Sequence, residues 1–324
     1  MTKIEKRADQ KFFYKYTSQF GLIIMVSAVL LFFIITSPNV FLSGSIYLSF
    51  LSTVPTIGLM ALGLTFILGM GEIDLSFPSV MALSAFLFAS VYKSTGNFLF
   101  AFLSCIGAGI LVGMINGLIV TKIGVPSIVV TLGMQFLIRG FSNLISDGTA
   151  IVVPLRGTIS QQIFAGKLLG IPVQSLWFLG MSILFYFLLF RHKFGEHVLF
   201  AGDNQESAKM MGVNVDFVKI AAFSLMGAMA AFAGMFDLYR MRTWWPTMGE
   251  GYLMMIMAAV FVGGTSMFGG EATIFGTFVG SFMIGALEAG IVAAGLKGFW
   301  TRFIIGLLII CAVIVHTLIR KRKK

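Results

Sequence analysis

The chain has 324 residues, 58% of them hydrophobic and 11% charged. Soluble domains carry about a quarter charged residues, so this balance excludes a soluble globular protein and points to an integral helical membrane protein. The net charge of +10 gathers in clusters beside apolar runs, which reads as a topogenic signal rather than as a surface for nucleic acid.

Residues 1–19 form a basic tail carrying Lys3, Lys6, Arg7, Lys11 and Lys15. The first apolar run lacks a small-residue cleavage site and reads as a retained helix, not a signal peptide. Stretches of roughly 17 to 25 apolar residues can cross a bilayer. They predict ten crossings, at 20–36, 46–70, 78–92, 98–120, 125–145, 175–190, 218–236, 251–263, 271–293 and 299–319, before a second basic tail at 320–324. An even number returns the C-terminus to the side of the N-terminus, and the positive-inside rule puts both in the cytoplasm. The expected fold is therefore an all-α, polytopic membrane bundle, N-in and C-in, with 1–324 forming a single transmembrane domain. Cys105 and Cys311 fall inside apolar runs, where packing is the expected role, and no disulfide framework or metal site is expected.

Between the second and third spans, "GMGEIDLSFPS" (69–79) places Glu72 and Asp74 among Gly69, Gly71 and Pro78. Burying an Asp at mid-membrane costs about 2.5 to 3.5 kcal/mol on insertion scales, so such a residue faces a cavity or a partner. Asp74, with Ser76, either caps the third span or borders a path. Glu72 either closes a salt bridge at a cytoplasmic gate or stays a free interfacial carboxylate. In the fourth span, Gly109, Gly113 and Gly117 repeat every fourth residue, a face that lets helices approach closely, as do Gly276 and Gly280 in the ninth.

Two loops exceed simple turns, one outside at 146–174 and one inside at 191–216, whose cytoplasmic stretch is 194–216. In the inside loop, Asp203 followed by Glu206 has the spacing of a capping box, opening a short helix that Gly212 can end. Ala208 and Met211 share one face of that helix, which must be covered by its own bundle, by lipid or by a partner. Arg240, Arg242, Trp244 and Trp245 precede the eighth span on the outside, where such residues anchor an interface or contact an external protein. His192 and His197 lie in the loop and His316 near an interface, so no His stands deep enough to relay protons beside Glu288, the carboxylate of the ninth span.

Residues 263–273, "GGTSMFGGEAT", repeat the grammar of 69–79: apolar helix, glycine-rich break, carboxylate, then a helix with small residues. An internal duplication with broken helices follows, and such breaks mark where a transporter opens its path. The candidate path or gate residues are Glu72, Asp74, Ser76, Asn116, Gly263, Gly264, Thr265, Ser266, Gly269 and Gly270. No Walker lysine loop, HExxH or nucleophile elbow is present, so the chain carries no visible enzymatic chemistry.

"GDNQESAKMMGVNVDFVKI" resembles the cytoplasmic loop of ATP-binding-cassette (ABC) permeases of the ribose, xylose and galactose class, with its Gly-x-Asn-x-x-Ala-Ala-x-x-x-Gly-(Ile/Val) pattern. "GEIDLSFPSVMAL", "GMINGLIVTKIGVPSIVVTLGMQFLIRG" and "AAVFVGGTSMFGGEATIFGTFVGSF" are similar to further stretches of that family, in the same order. Ser207 and Glu72 depart from the family's usual Ala and Gly, Phe77-Pro78 replaces a small-residue pair, and "GYLMMIMAA" lacks the family's acidic residues. The resemblance implies an importer subunit of the bacterial cytoplasmic (inner) membrane that forms the path for a monosaccharide or related polyol. Its implied partners are an extracytoplasmic binding protein, a second permease copy, identical or paralogous, membrane lipid, and cytoplasmic ATPases that hydrolyse ATP. No cofactor on this chain is implied. The ATPase-coupling residues would be Asp203, Asn204, Glu206, Ser207, Ala208 and Gly212, and the binding protein would meet Arg240, Arg242, Trp244 and Trp245. The alternative is an ion-coupled secondary carrier using Glu72, Asp74 or Glu288.

Overall fold

The computed structural model describes residues 22–323. The basic tail 1–19, Phe20, Gly21, Lys324 and the side chains of His316 and of the C-terminal cluster 320–323 lie outside the described residues.

Helices dominate. In chain order they are α1 (Leu22–Thr36), α2 (Pro38–Phe41), α3 (Gly44–Gly69), α4 (Phe77–Thr95), α5 (Phe98–Leu118), α6 (Ser127–Ser146), α7 (Ile159–Ala165), α8 (Val173–Phe190), α9 (Lys193–Asp203), α10 (Gln205–Met210), α11 (Val215–Met241), α12 (Tyr252–Val262), α13 (Ile274–Ala293) and α14 (Phe299–Lys323). Each of the ten expected apolar segments coincides with a helix. Among the described residues, seven helices are long and apolar enough to cross a membrane: α3, α4, α5 with the π turn Ile119–Ile123 that prolongs it, α6, α8, α11 and α13. Leu22–Thr36, Tyr252–Val262 and Phe299–Ile314 are shorter apolar helices.

Local chemistry sets the boundaries. The Asn97 side chain accepts from the backbone N–H groups of Leu99 and Phe100 to start α5, and that of Thr273 accepts from Gly276 N–H to start α13. Pro78 occupies the first turn of α4, where its missing N–H costs nothing.

α3 is the most deeply buried, with 83% of its apolar stretch inside the chain, α11 and α13 follow at 61%, and α6 keeps 22%. Leu132, Phe136, Leu137 and Leu144 of α6 are exposed, a face that water would penalise and lipid does not. The α5 glycines seat α11 directly: a Cβ at Gly109 would strike the carbonyl oxygen of Gly227, and one at Gly113 that of Phe223. Gly276 and Gly280 of α13 are pressed in the same way against the carbonyls of Gly263 and Ala259. Both expected small-residue faces are thus close helix contacts.

The 146–174 loop is not bare. It holds α7 and three two-residue strands, β1 (Ile151–Val152), β2 (Lys167–Leu168) and β3 (Ile171–Pro172). β1 pairs antiparallel with β4 (Thr243–Trp244), and β2 with β3. Backbone pairing at β1 and β4 therefore ties this loop to the end of α11.

Candidate functional site

The two glycine-rich breaks meet. Gly270 N–H donates to the Gly69 carbonyl at 2.9 Å, joining the 263–273 break to the C-terminal end of α3. Gly202, near the end of α9, sits against both, because a Cβ there would strike the Gly69 carbonyl and the Gly270 nitrogen. A Cβ at Gly269 would in turn meet the Gly202 backbone, and one at Gly270 would lie 3.2 Å from Cα and Cβ of Asp203. Gly269 (φ 80°) and Gly270 (φ 77°) hold left-handed backbone that lets the break turn under α9. Three backbones thus share one junction with no side chain between them.

Around the junction the break residues are ordered by hydrogen bonds. Asp74 is 2% exposed, and its Oδ1 accepts from the backbone N–H of Ser76 at 2.7 Å and from the Ser76 hydroxyl at 2.6 Å. The Ser76 hydroxyl accepts from Nδ2 of Asn116 on α5 at 2.9 Å. Asp74, Ser76 and Asn116 therefore form one chain that pins the start of α4 to α5. Asp74 orders the turn ahead of α4 from two residues before Ser76, the residue at the cap position. In the second break, Thr265 Oγ1 accepts from Thr273 N–H at 3.2 Å, Ser266 Oγ accepts from Phe268 N–H at 3.1 Å, and Ser266 N–H donates to the Glu271 carbonyl at 3.0 Å. Gly263 packs on Gly276, and Gly264 has φ 95°. Thr65 of α3 and Thr277 of α13 share a hydrogen bond of 2.8 Å.

Glu72 forms a salt bridge. Its Oε1 lies 2.5 Å from Nζ of Lys219 in the second turn of α11, with the two side chains 12% and 11% exposed. Lys122 and Asp216 pair nearby at 2.7 Å but are largely solvent-facing, and such pairs contribute little.

α9 and α10 lie across this same end. The capping box is displaced by one residue: Asn204, not Asp203, caps α10, its Oδ1 accepting from Ser207 N–H at 3.0 Å. Asp203 closes α9, a helix that the polar run 194–203 concealed. Gly212 (φ 83°) ends α10 as expected. Ala208 is buried while Glu206 is exposed and Ser207 half-buried. Met211 does not share Ala208's burial: Met210 is 82% and Met211 63% exposed. One face of α10 thus rests on the bundle, and two thioethers stand away from it.

The Arg-Trp group before α12 divides. Trp244 is fully buried, its indole N–H donating to the Ala82 carbonyl at 2.8 Å and its ring edge-on to Phe86, so it offers no surface to a docking protein. Arg240 donates to Oδ1 of buried Asp237 at 3.0 Å, and Asp237 also accepts from Thr56 Oγ1 and the Tyr252 hydroxyl. Arg242 is exposed and Trp245 half-buried.

Sequence reasoning assigned no role to Arg139 or to the chamber beside it. Arg139 Nη1 donates to the carbonyls of Pro246 (2.6 Å) and Met248 (2.9 Å), Nη2 donates to that of Pro78 (3.5 Å), and Nε is 4.0 Å from Glu250. It fastens α6 to the N-terminal turn of α4 and to the loop before α12. These elements, with α13 and α14, line an open-sided cavity of about 800 Å3 bordered by Ser79, Gln135, Arg139, Glu250, Glu288, Thr301 and Arg302 among apolar side chains. A lone cation inside an apolar span was the available signal. Only the fold shows what it holds.

The residues match, over 46–313, a family model described as branched-chain amino acid transport system / permease component. The chain is similar to the ribose import permease of Bacillus subtilis (strain 168), 35% identical over 91% of this chain and 90% of that protein. It is 30% identical to the ribose import permease of Escherichia coli (strain K12), over 86% and 87% of the two chains. It is 28% identical to the D-allose transport system permease of the same strain, over 99% of both. No solved structure matches. These relatives are transport permeases, a family not known to be enzymatic, and an ion-coupled carrier is not favoured. The chain belongs to the permease family of ABC importers and is a membrane-embedded translocation subunit.

Proposed function

We propose that the chain carries a monosaccharide or related polyol, handed over by an extracytoplasmic binding protein, across a bacterial cytoplasmic membrane. The cargo reading rests on the ribose and allose permeases among its relatives. Ten crossings, N-in and C-in, put the breaks, α9 and α10 at the cytoplasmic end and the 800 Å3 chamber deeper in the membrane. A second copy, identical or paralogous, completes the path, and membrane lipid covers the remaining apolar face. Binding-protein contact, with Trp244 buried and Arg240 held by Asp237, falls to Arg242 and Trp245.

One observation carries the mechanism: Gly202 touches both breaks through backbone alone. A cytoplasmic ATPase seated on Met210, Met211 and the turn at Gly212 moves α9 and α10. Because no flexible side chain intervenes, that displacement reaches the ends of α3 and of the 263–273 break together. ATP biases two states of the assembly through its differential affinity for them. Asp74, Ser76 and Asn116 keep the start of α4 rigid during the motion, and Glu72 with Lys219 latches the break to α11.

Gly212→Asp tests the docking surface. Open space surrounds Gly212 while its φ is 83°, so the side chain reaches outward and the turn is strained; Gly212→Asn, with the same strain and no charge, is the control. The Asp variant is expected to insert normally, lose co-purification with the ATPase and lose uptake. Normal uptake with normal ATPase association would refute docking at this turn.

A further inference from the structure

Resting on the importer reading, we infer that Glu288 of α13 is the residue of the path that reads the hydroxyl groups of the passing solute. Glu288 and Val292, one turn apart, border both the 800 Å3 chamber and a second cavity of about 500 Å3 bounded mainly by α3 and α13, with Val40, Arg240 and Tyr252 completing its wall. A solute moving between the two spaces passes this turn.

The other carboxylates in the bundle are occupied. Asp74 is held by Ser76, Glu72 by Lys219, and Asp237 by Thr56, Arg240 and Tyr252. Glu288 is partly buried, and no hydrogen bond joins its carboxylate to another described residue; Arg240 acts on it only through its charge. An ionisable group at membrane depth with no hydrogen-bonded partner is a functional site by default, because burial without use is costly. An ionised carboxylate only accepts hydrogen bonds, and its two oxygens match the two O–H donors of a vicinal diol, with the extra strength that a charged acceptor brings.

The surroundings complete the ligand class. Gln135 and Thr301 add neutral polar groups to the cavity lining, an amide and a hydroxyl that can each donate or accept. Arg139 and Arg302 set two positive charges beside the negative charges of Glu250 and Glu288, and Arg240, which faces Glu288 across the second cavity, is itself neutralised by Asp237. The lining is balanced, so it favours a neutral solute over an anion or a cation. Phe136 and Met254 supply apolar wall for the C–H faces of such a solute. Its volume lies in the usual range for small-molecule sites, about 300 to 1,000 Å3. The ligand is a neutral polyhydroxyl compound of sugar size.

The test uses the unmodified chain in lipid nanodiscs. Carbodiimide labelling of Glu288 is read by mass spectrometry with D-ribose, D-allose or leucine added. A sugar is expected to slow labelling of Glu288 at least about threefold while leaving Glu206, exposed on α10 and outside the cavity lining, unchanged. Equal labelling with and without either sugar, or protection by leucine alone, would overturn the assignment. In proteoliposomes holding the ATPase and binding protein, Glu288→Gln keeps the shape and removes the charge. It is expected to cut sugar uptake about tenfold or more, the loss of one charge-assisted hydrogen bond, with ATPase association intact. Wild-type uptake in that variant, still dependent on ATP and binding protein, overturns the role of Glu288 and leaves the importer reading standing. Wild-type uptake without the ATPase would defeat the importer reading itself.

Discussion

Gly270 N–H donates to the Gly69 carbonyl at 2.9 Å, so residues 201 apart in sequence fasten the two broken helices to each other. Gly202 closes over that bond, and a side chain there must separate α9 from one break or the other. Gly202→Val is expected to insert and to retain the ATPase, because the docking face on α10 is untouched, while uptake falls about tenfold or more. Co-purification paired with an uptake assay reads both. Overpacking of this kind costs about 1 to 3 kcal/mol, so a melting curve records the strain separately.

Glu72 and Lys219 are expected to behave as a pair. Removing one partner leaves a poorly solvated charge, at a cost of about 3 to 5 kcal/mol for a buried pair. Glu72→Gln and Lys219→Met should each lower thermal stability more than the double variant's loss would suggest by addition. Additive single and double losses in unfolding would show that the bridge is not coupled.

The α5–α11 seam predicts a size threshold. Gly113→Ala is expected to destabilise measurably and Gly113→Leu severely, since even a Cβ meets the Phe223 carbonyl. Gly133 and Gly140 of α6 have open space around them, so Ala there should leave the melting temperature nearly unchanged. Fluorescence-monitored size-exclusion after heating distinguishes the two sets.

Arg139→Met is expected to free the carbonyls of Pro246 and Met248, each at a cost of about 1 to 3 kcal/mol if left unsatisfied. Arg139→Lys should recover only part of the loss, because one ammonium cannot span the three carbonyls that the planar guanidinium reaches. Equal stability of the Lys variant and the wild type would contradict the fastening role.

The apolar helices were legible because each is an apolar run bounded by Gly, Pro, Asn or Thr chemistry that acts locally, whereas α7 and α9, outside such runs, were not. The two breaks were legible for the same reason, and Asp74 beside Ser76 announced an ordered turn. The capping box was misread by one residue because Asp203 and Asn204 are both competent caps, and the backbone course of α9 decides between them. Trp244 was read as interfacial because a Trp-Trp pair after two Arg looks amphipathic. Its burial depends on the β1–β4 pairing, which brings two distant loops together. Gly202 was visible as the first Gly of the cytoplasmic-loop pattern, but its role was not, since that lies in contacts with residues over sixty positions away. Arg139 stood out as a charge within a span, but its carbonyl partners are supplied by loops that no periodicity encodes.

Uptake into proteoliposomes tests the central claim most directly, with the chain reconstituted alongside the ATPase and a sugar-loaded binding protein and no ion gradient imposed. Sugar accumulation is expected only with ATP inside the assembly's cytoplasmic compartment, is expected to be indifferent to a protonophore, and should be lost in Gly202→Val despite retained ATPase. Accumulation by the chain alone along an ion gradient, abolished by a protonophore, would contradict it.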